Sequence, residues 1–385
     1  MIISHLKLKN WRNFKSVDNI PLRQRQFLVG PNASGKSNLL DVFRFLRDVA
    51  KSEGGGLQKA VNERGGISKI RSLAARRDPE IVIDISLSNS PDEKPLWRYA
   101  LGIKQETRGY RQPIIAFERV WKSDRQILNR PDENDKKDIE RLKQTYLEQV
   151  NTNLEFREIA KYLETISYIH IVPQLIRFAD TLQTTPFERD PFGQGFLIKV
   201  AKSSPRTQKN RLSKIEEALK IAVPQLQQLK FDQDIHTGKP HLTALYSHWR
   251  PNAGWQREDQ FSDGTLRLIG LLWALLDNDS LLLLEEPELS LNNGIVSKLA
   301  PIIYRMQRKR KRQVFISTHS ESLLSDEGID GREVLLLTPG AEGTVVEVAS
   351  DIQDVKILLE SGMSVGEVVL PRSIPENASQ LEIFE

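Results

Sequence analysis

Residues 25–38 read Arg-Gln-Phe-Leu-Val-Gly-Pro-Asn-Ala-Ser-Gly-Lys-Ser-Asn, and this stretch decides the fold class. Phe27, Leu28 and Val29 predict a buried strand, and Asn38 to Val49 carries apolar residues at helical spacing. Between them, Gly30-Pro31-Asn32-Ala33-Ser34-Gly35-Lys36-Ser37 fits G-x-x-x-x-G-K-[ST] at every position. Strand, glycine-rich turn and helix start form the order in which backbone N–H groups close around phosphate oxygens, with the helix N-terminus adding partial positive charge. In such a loop Lys36 reaches the β- and γ-phosphates of ATP and the Ser37 hydroxyl holds Mg2+. A chance match on an ordinary glycine turn would lack the flanking strand and helix.

Working outward, Ile2–Lys9 alternates as a half-buried strand does, and residues 81–88, 97–104 and 113–121 alternate again, predicting an antiparallel meander. Residues 136–164 read as helical; at 1.5 Å per residue that is about 43 Å, too short for a long coiled-coil arm. The apolar run 166–172 ends at Pro173, residues 180–210 mix Pro, Gly, Thr and basic side chains like loops, and 212–223 predicts a helix ended by Pro224. From Gln260 the order is helix (265–276), buried strand (281–285), helix (292–307), buried strand (314–318), a short helix and two strands (334–338 and 344–349). The tail from Val355 reads as a short helix and then polar chain. Continuous apolar strands alternating with helices predict an α/β fold: a mostly parallel core sheet, an antiparallel β layer and a helical lobe.

The chain has 385 residues and no cysteine, and its net charge is 55 − 51 = +4. The missing cysteine excludes a disulfide framework, a cysteine zinc site and a cysteine nucleophile. Hydrophobic content of 39% suffices for a core, and no apolar run reaches membrane-spanning length, so a soluble cytoplasmic protein is expected.

Three further motifs suggest the rest of a nucleotide site. Leu281-Leu282-Leu283-Leu284-Glu285-Glu286-Pro287-Glu288 predicts a buried strand delivering carboxylates to a sheet edge, with Glu285 toward Mg2+ and Glu286 orienting or deprotonating the attacking water. Val314 to His319 predicts another buried strand, with His319 placed to sense the γ-phosphate or the water. Ser262, Asp263 and Gly264 open a helix and form a second anion site, although an ordinary N-cap reads the same way.

With these residues the chain resembles the ABC-type P-loop ATPases of the SMC, RecF and OLD group, and more closely the stand-alone AAA-family ATPases of bacterial anti-phage systems. The matching residues are Asn13-Phe14, Gly30 to Asn38, Ser262-Asp263-Gly264-Thr265, Glu285-Glu286-Pro287-Glu288 and Ser317-Thr318-His319-Ser320. The resemblance implies an ABC-ATPase-type head forming one domain in two lobes: 1–135 with the phosphate loop, 136–257 as a helical insert, and 258–385 with signature helix, acidic strand and histidine strand. It implies ATP and Mg2+ as cofactors. It also implies a homodimer, or a higher oligomer, in which Lys36 of one copy faces Ser262 and Gly264 of another across ATP. A glutamine is expected at the Mg2+ site, for which Gln174 is the candidate, and Trp11 and Arg12 are candidates to flank adenine, a core tryptophan being the alternative. Leu289-Ser290-Leu291-Asn292 departs from the loop that many relatives carry after the acidic strand.

Basic stretches at 64–77, 202–214 and 305–312 offer phosphate contacts to DNA, against the alternative of solvated helix ends. No aromatic-interleaved basic motif for single strands stands out in the sequence. After His319 no Asp-x-Asp pair follows, so no fused Toprim nuclease domain is expected; a separate, nuclease-like effector is. These features read as an ATP-driven dimeric switch that senses nucleic acid and controls that effector, with no membrane partner. The alternatives are an ATP-holding scaffold for a partner toxin and a transporter ATPase subunit.

Overall fold

A computed structural model describes residues 1–107, 109–179, 192–250, 254–277 and 280–374. The parts of the loop and tail expectations at 180–191 and 375–385 lie outside the described residues. The chain divides into two units: unit 1 comprises 1–167, 280–283 and 310–385, and unit 2 comprises 168–279 and 284–309.

Unit 1 starts with a hairpin of β1 (Ile2–Trp11) and β2 (Phe14–Pro21), and β3 (Arg25–Val29) then runs into the phosphate loop. After the helix Lys36–Ala50 come β4 (Ile81–Ser88), β5 (Trp97–Gln105), β6 (Pro113–Lys122) and β7 (Arg125–Arg130). These form an antiparallel sheet in the order β2-β1-β4-β5-β6-β7, the four expected strands joined by β2 and β7 at the two edges. The second sheet adds β8 (Ser167–Ile169), β12 (Leu282–Glu285), β13 (Val314–Ser317), β14 (Val334–Gly340) and β15 (Gly343–Val348), in the order β15-β14-β3-β13-β12-β8. Both β13 and β14 run parallel to β3, and β15 folds back antiparallel on β14. Strands β3 and β13 are buried at every residue, which is why they read as unbroken apolar runs. The ring of Phe43, from the first helix, packs edge-on against Phe315 of β13 at 5.0 Å.

Unit 2 holds a three-stranded antiparallel sheet of β9 (Leu226–Gln233), β10 (Pro240–Tyr246) and β11 (Trp255–Arg257). Its helices include Phe196–Lys202, Pro205–Ala222, Asp263–Leu276 and Leu299–Arg310. Two of these begin inside 180–210, where the composition reads as loop; the helix Pro205–Ala222 takes its N-cap from Ser204, whose hydroxyl accepts from Thr207 N. The three strands lie in a region where the sequence signals none.

The expected helix over 136–164 is absent. Short helices at Glu133–Lys137 and Arg157–Glu164 flank irregular chain with two 3-10 turns. The cause is a buried ion cluster. The Arg130 guanidinium bonds Glu118 Oε2 (3.0 Å) and both Asp135 oxygens (2.9 Å each), with all three side chains fully buried. It also donates to the carbonyls of Arg141 (2.9 Å) and Gln144 (3.0 Å), which a continuous helix would need for its own ladder. Burial pushes Glu118 up, against the Tyr146 N–H and Arg130. Burial also opposes the Asp135 charge, but Arg130 and the Asp132 N–H outweigh it and hold that carboxyl at about 2.

Removing one member of this cluster leaves its partners charged and buried. Arg130→Ala is expected to cost about 3–5 kcal/mol in urea unfolding, whereas Arg76→Ala, at an exposed pair with Glu342, should stay within about 0.5 kcal/mol. Burial also pushes the nearby Glu148 carboxyl up from 4.5 to about 7, against N–H bonds from Thr145 and Leu57. The folded chain therefore holds this proton more tightly than the unfolded chain. The stability it contributes is complete below pH 4.5 and is lost as pH rises through about 7. Unfolding free energies of wild type and Glu148→Gln, measured between pH 5 and 8, should show the variant with the flatter profile.

Candidate nucleotide site

In unit 1 the phosphate loop follows β3 directly. Ala33 (φ 63°) and Gly35 (φ 99°) are left-handed, turning successive N–H groups inward. A side chain at Gly35 would place its Cβ 2.1 Å from Asn13 Nδ2, so that glycine is required twice over, by conformation and by space. The 15-residue helix Lys36–Ala50 starts at Gly35 without a side-chain cap. Lys36 is largely buried, and its Nζ donates to the carbonyls of Gly30 (2.7 Å) and Pro31 (3.1 Å), while Ser37 is exposed. The Oγ atoms of Ser34 and Ser317 are buried without a protein hydrogen-bond partner. An uncapped helix start, a left-handed turn, a buried ammonium and two buried hydroxyls fit the phosphates of a nucleotide.

The loop is clamped by residues far away in sequence. The Ser34 carbonyl accepts from Asn13 Nδ2 (2.9 Å) and Thr344 Oγ1 (2.8 Å), and Asn38 Nδ2 donates to Asn13 Oδ1 (2.8 Å). Thr344 N in turn donates to Asn13 O (2.8 Å). Asn13 was singled out by the resemblance; Thr344, on β15, carries no sequence signal. Trp11 is fully buried, packing on Phe45 at 5.2 Å and donating to Asn38 O, and Arg12 pairs with Asp41 at 2.8 Å. Trp11 is thus a core residue that secures the clamp, and its ring has no open face for adenine.

Strand β13 pairs Ser317 with Leu28 of β3, and Thr318 N continues the ladder to Leu28 O (3.1 Å). His319 follows at once, exposed beyond the end of the strand and one residue before Ser320 caps the short helix Glu321–Leu324. It therefore leaves the same sheet edge as the phosphate loop.

The acids belong to unit 2, which β12 enters at Leu284. The Tyr168 hydroxyl, from β8, donates to Glu285 Oε2, and His170 Nδ1 lies 3.3 Å from Glu285 O. Glu286 has a φ of 43°, a left-handed conformation that costs a non-glycine residue on the order of 1–3 kcal/mol. It turns the second acid off the strand direction. Arg267, largely buried, donates to Glu286 O at 3.4 Å. Burial pushes its guanidinium down, and the nearby Glu288, Asp263 and Glu286 charges oppose that. Tyr168 and Arg267 had no assigned role in the sequence reading, because strand pairing and a helix turn bring them to the acids.

Ser262 is exposed and caps the helix Asp263–Leu276: its Oγ accepts from Thr265 N (3.2 Å). Gly264 is packed so closely that a Cβ would lie 2.7 Å from Ser290 O, which seats this helix start on the loop after the acids. Gln174 Nε2 donates to Asp263 Oδ2 (2.8 Å), and Arg177 bonds both Asp263 Oδ1 (2.5 Å) and Phe261 O (2.7 Å). The structure thus joins Gln174 to the Ser262–Gly264 turn. Several basic residues have structural work instead: Arg64 pairs with Asp41 and Asp48, Arg211 with Asp277, and buried Arg312 donates to Ser280 O. Arg206, Lys209, Lys214, Arg305, Arg308, Lys309 and Lys311 remain exposed.

Two substitutions separate the charge of the loop from its clamp. Lys36→Ala should weaken ATP binding on the order of a hundredfold. Thr344→Val removes one hydrogen bond to Ser34 O, worth about 1 kcal/mol, and should weaken binding about fivefold; isothermal titration of both variants checks this.

Residues 27–325 match the family described as "AAA domain, putative AbiEii toxin, Type IV TA system". Two curated proteins align over short segments. The DNA replication and repair protein RecF of Agathobacter rectalis is 32% identical over 88 residues, 23% of this chain and 24% of that protein. The RecF of Clavibacter sepedonicus is 28% identical over 90 residues, 23% of this chain and 22% of that protein. The match thus spans about a quarter of those relatives. Among solved structures, an SMC head bound to the C-terminal winged-helix domain of ScpA superposes with a TM-score of 0.55 at 15% identity, covering 92% of this chain and 100% of that one. An SMC head with an extended coiled coil, bound to the C-terminal domain of ScpA derived from Pyrococcus furiosus, gives 0.51 at 13% identity, covering 94% and 99%. The fold is that of SMC heads, the family match covers most of the chain, and the phosphate loop has the geometry its sequence demands: the chain belongs to that AAA-domain family and is an SMC/RecF-like P-loop ATPase of the ABC type.

Proposed function

We propose that the protein hydrolyses ATP as a dimeric switch that responds to DNA and controls a separate effector. The observation that carries the reading is the phosphate loop, where a left-handed Gly35, an uncapped 15-residue helix and the buried Lys36 ammonium converge. Lys36 binds the β- and γ-phosphates. Ser37 and Glu285 would hold Mg2+, which would supply charge neutralisation on the phosphates; Gln174, bonded to Asp263, serves the Ser262–Gly264 turn instead. Glu286 takes the proton of the attacking water, and His319 donates a hydrogen bond toward the γ-phosphate. Tyr168 restrains Glu285, keeping it distinct in role from Glu286.

The exposed Ser262, with Gly264 beside it at the start of a 14-residue helix, supports a second copy closing over ATP bound to the first. Two helix N-termini then share the triphosphate charge. ATP joins the copies and hydrolysis parts them. The RecF relatives are named for DNA replication and repair, and the SMC heads were solved with ScpA domains bound; both support a nucleic-acid trigger and a protein partner. The effector would be a Toprim or nuclease-like protein in anti-phage defence or DNA repair. Among the described residues no helix is long and apolar enough to cross a membrane.

The test is steady-state ATP turnover with and without duplex DNA, together with light scattering in ATP. Glu286→Gln should lower turnover on the order of 10²–10⁴-fold and accumulate an ATP-dependent dimer. Turnover that is near zero in wild type, or equal in the variant, replaces this reading with an ATP-holding scaffold.

A further inference from the structure

Of the six tryptophans, Trp11, Trp97 and Trp273 are buried, and Trp121 is half-buried. Of the two exposed ones, Trp255 (38%) lies on β11 of the unit 2 sheet and Trp249 (78%) stands three residues after the end of β10. One face of that sheet is core: Leu226, Leu229, Leu242 and Ala244 are buried, and Glu216 of the helix Pro205–Ala222 accepts from Leu229 N at 2.8 Å. Period-two alternation puts the other residues on the open face. Register places Lys230, Thr243 and Arg257 in one row across the three strands, and Gln228, Leu245 and Trp255 in the next.

Each exposed indole carries a cation. Lys230 Nζ lies 4.5 Å from the Trp255 ring centre, and Arg250 lies 4.4 Å from that of Trp249, on which His248 also stacks at 5.6 Å. Residues 226–257 hold Lys230, Lys239, Arg250 and Arg257 against Asp232 and Asp234, a balance of 4 − 2 = +2. The reading of the sequence finds no aromatic-interleaved basic motif because Lys230 and Trp255 are 25 positions apart; antiparallel pairing through β10 brings them together.

We propose that this open face binds single-stranded DNA, with unpaired bases stacking at Trp249 and Trp255 and the backbone phosphates lying along Lys230, Arg250 and Arg257. A protein-binding core is depleted of charge, whereas here every exposed ring has a cation beside it. Duplex bases are already stacked on each other and leave no face for an indole; unpaired bases do, and base–aromatic stacking is tolerant of sequence. The assignment to DNA rests on the nucleic-acid part of the proposed function, and it does not depend on ATP hydrolysis.

The test measures fluorescence anisotropy of a labelled oligo-dT of about 16 nucleotides with the full chain, alongside quenching of its intrinsic tryptophan emission. Trp249→Ala and Trp255→Ala should each weaken binding about tenfold or more and reduce the quench, while Trp255→Phe retains most of the affinity. Lys230→Gln should lower the salt dependence of binding by about one ion. The basal ATP turnover of all four variants should equal that of wild type, and circular dichroism should report the same fold. Unchanged oligo-dT affinity in both alanine variants overturns the surface, even if DNA still stimulates turnover. Wild type that binds duplex better than oligo-dT overturns the single-strand assignment, and tighter binding of oligo-rU overturns the assignment to DNA. Loss of turnover in Glu286→Gln with oligo-dT binding intact separates the ATPase reading from this one.

Discussion

The carbonyl of Ser34 is held from two sides, by the Asn13 amide and the Thr344 hydroxyl, and the phosphate loop has its shape because of that grip. A turn that presents N–H groups inward must direct its carbonyls elsewhere, and each buried carbonyl needs a donor. Asn13 supplies one from the β1–β2 corner and Thr344 another from the edge hairpin. Asn38, in the first helix, holds Asn13 in place. Trp11 then fixes Asn38 from below, its ring buried against Phe45. One peptide group therefore ties together the start of the chain, the loop, the first helix and a hairpin more than 300 residues away.

A second constraint shapes the rest of unit 1. A buried guanidinium is tolerable only if its donors are all used. Arg130 meets that demand with two carboxylates and two backbone carbonyls, and by taking those carbonyls it forbids the helix that local propensity favours. Tyr146 lies over the same guanidinium at 3.8 Å, and its N–H bonds Glu118, so the irregular segment is ordered by the cluster that interrupts it.

In unit 2 the same logic links the acids to the Ser262–Gly264 turn. Arg267 sits one helical turn after that turn and donates to the backbone of Glu286, while Gly264 lets the Ser290 carbonyl approach within contact. The helix start thus packs directly on the acidic turn, where Glu286 occupies a strained backbone conformation.

The sequence by itself determined the phosphate loop, the buried strands β3, β12 and β13, and the meander, because each depends on contiguous residues: a glycine pattern, an unbroken apolar run, an alternation. It also marked Glu285, Glu286 and His319 by their place beside those runs, and Asn13 through the family resemblance. It did not show Thr344 at the loop, Tyr168 at Glu285, or Lys230 beside Trp255, since sheet order and strand register decide those neighbours and neither is written in local periodicity. The lost helix of 136–164 has the same origin. Propensity is worth tenths of a kcal/mol per residue, and a buried arginine with unmet donors outweighs it, so the tertiary structure decided that segment.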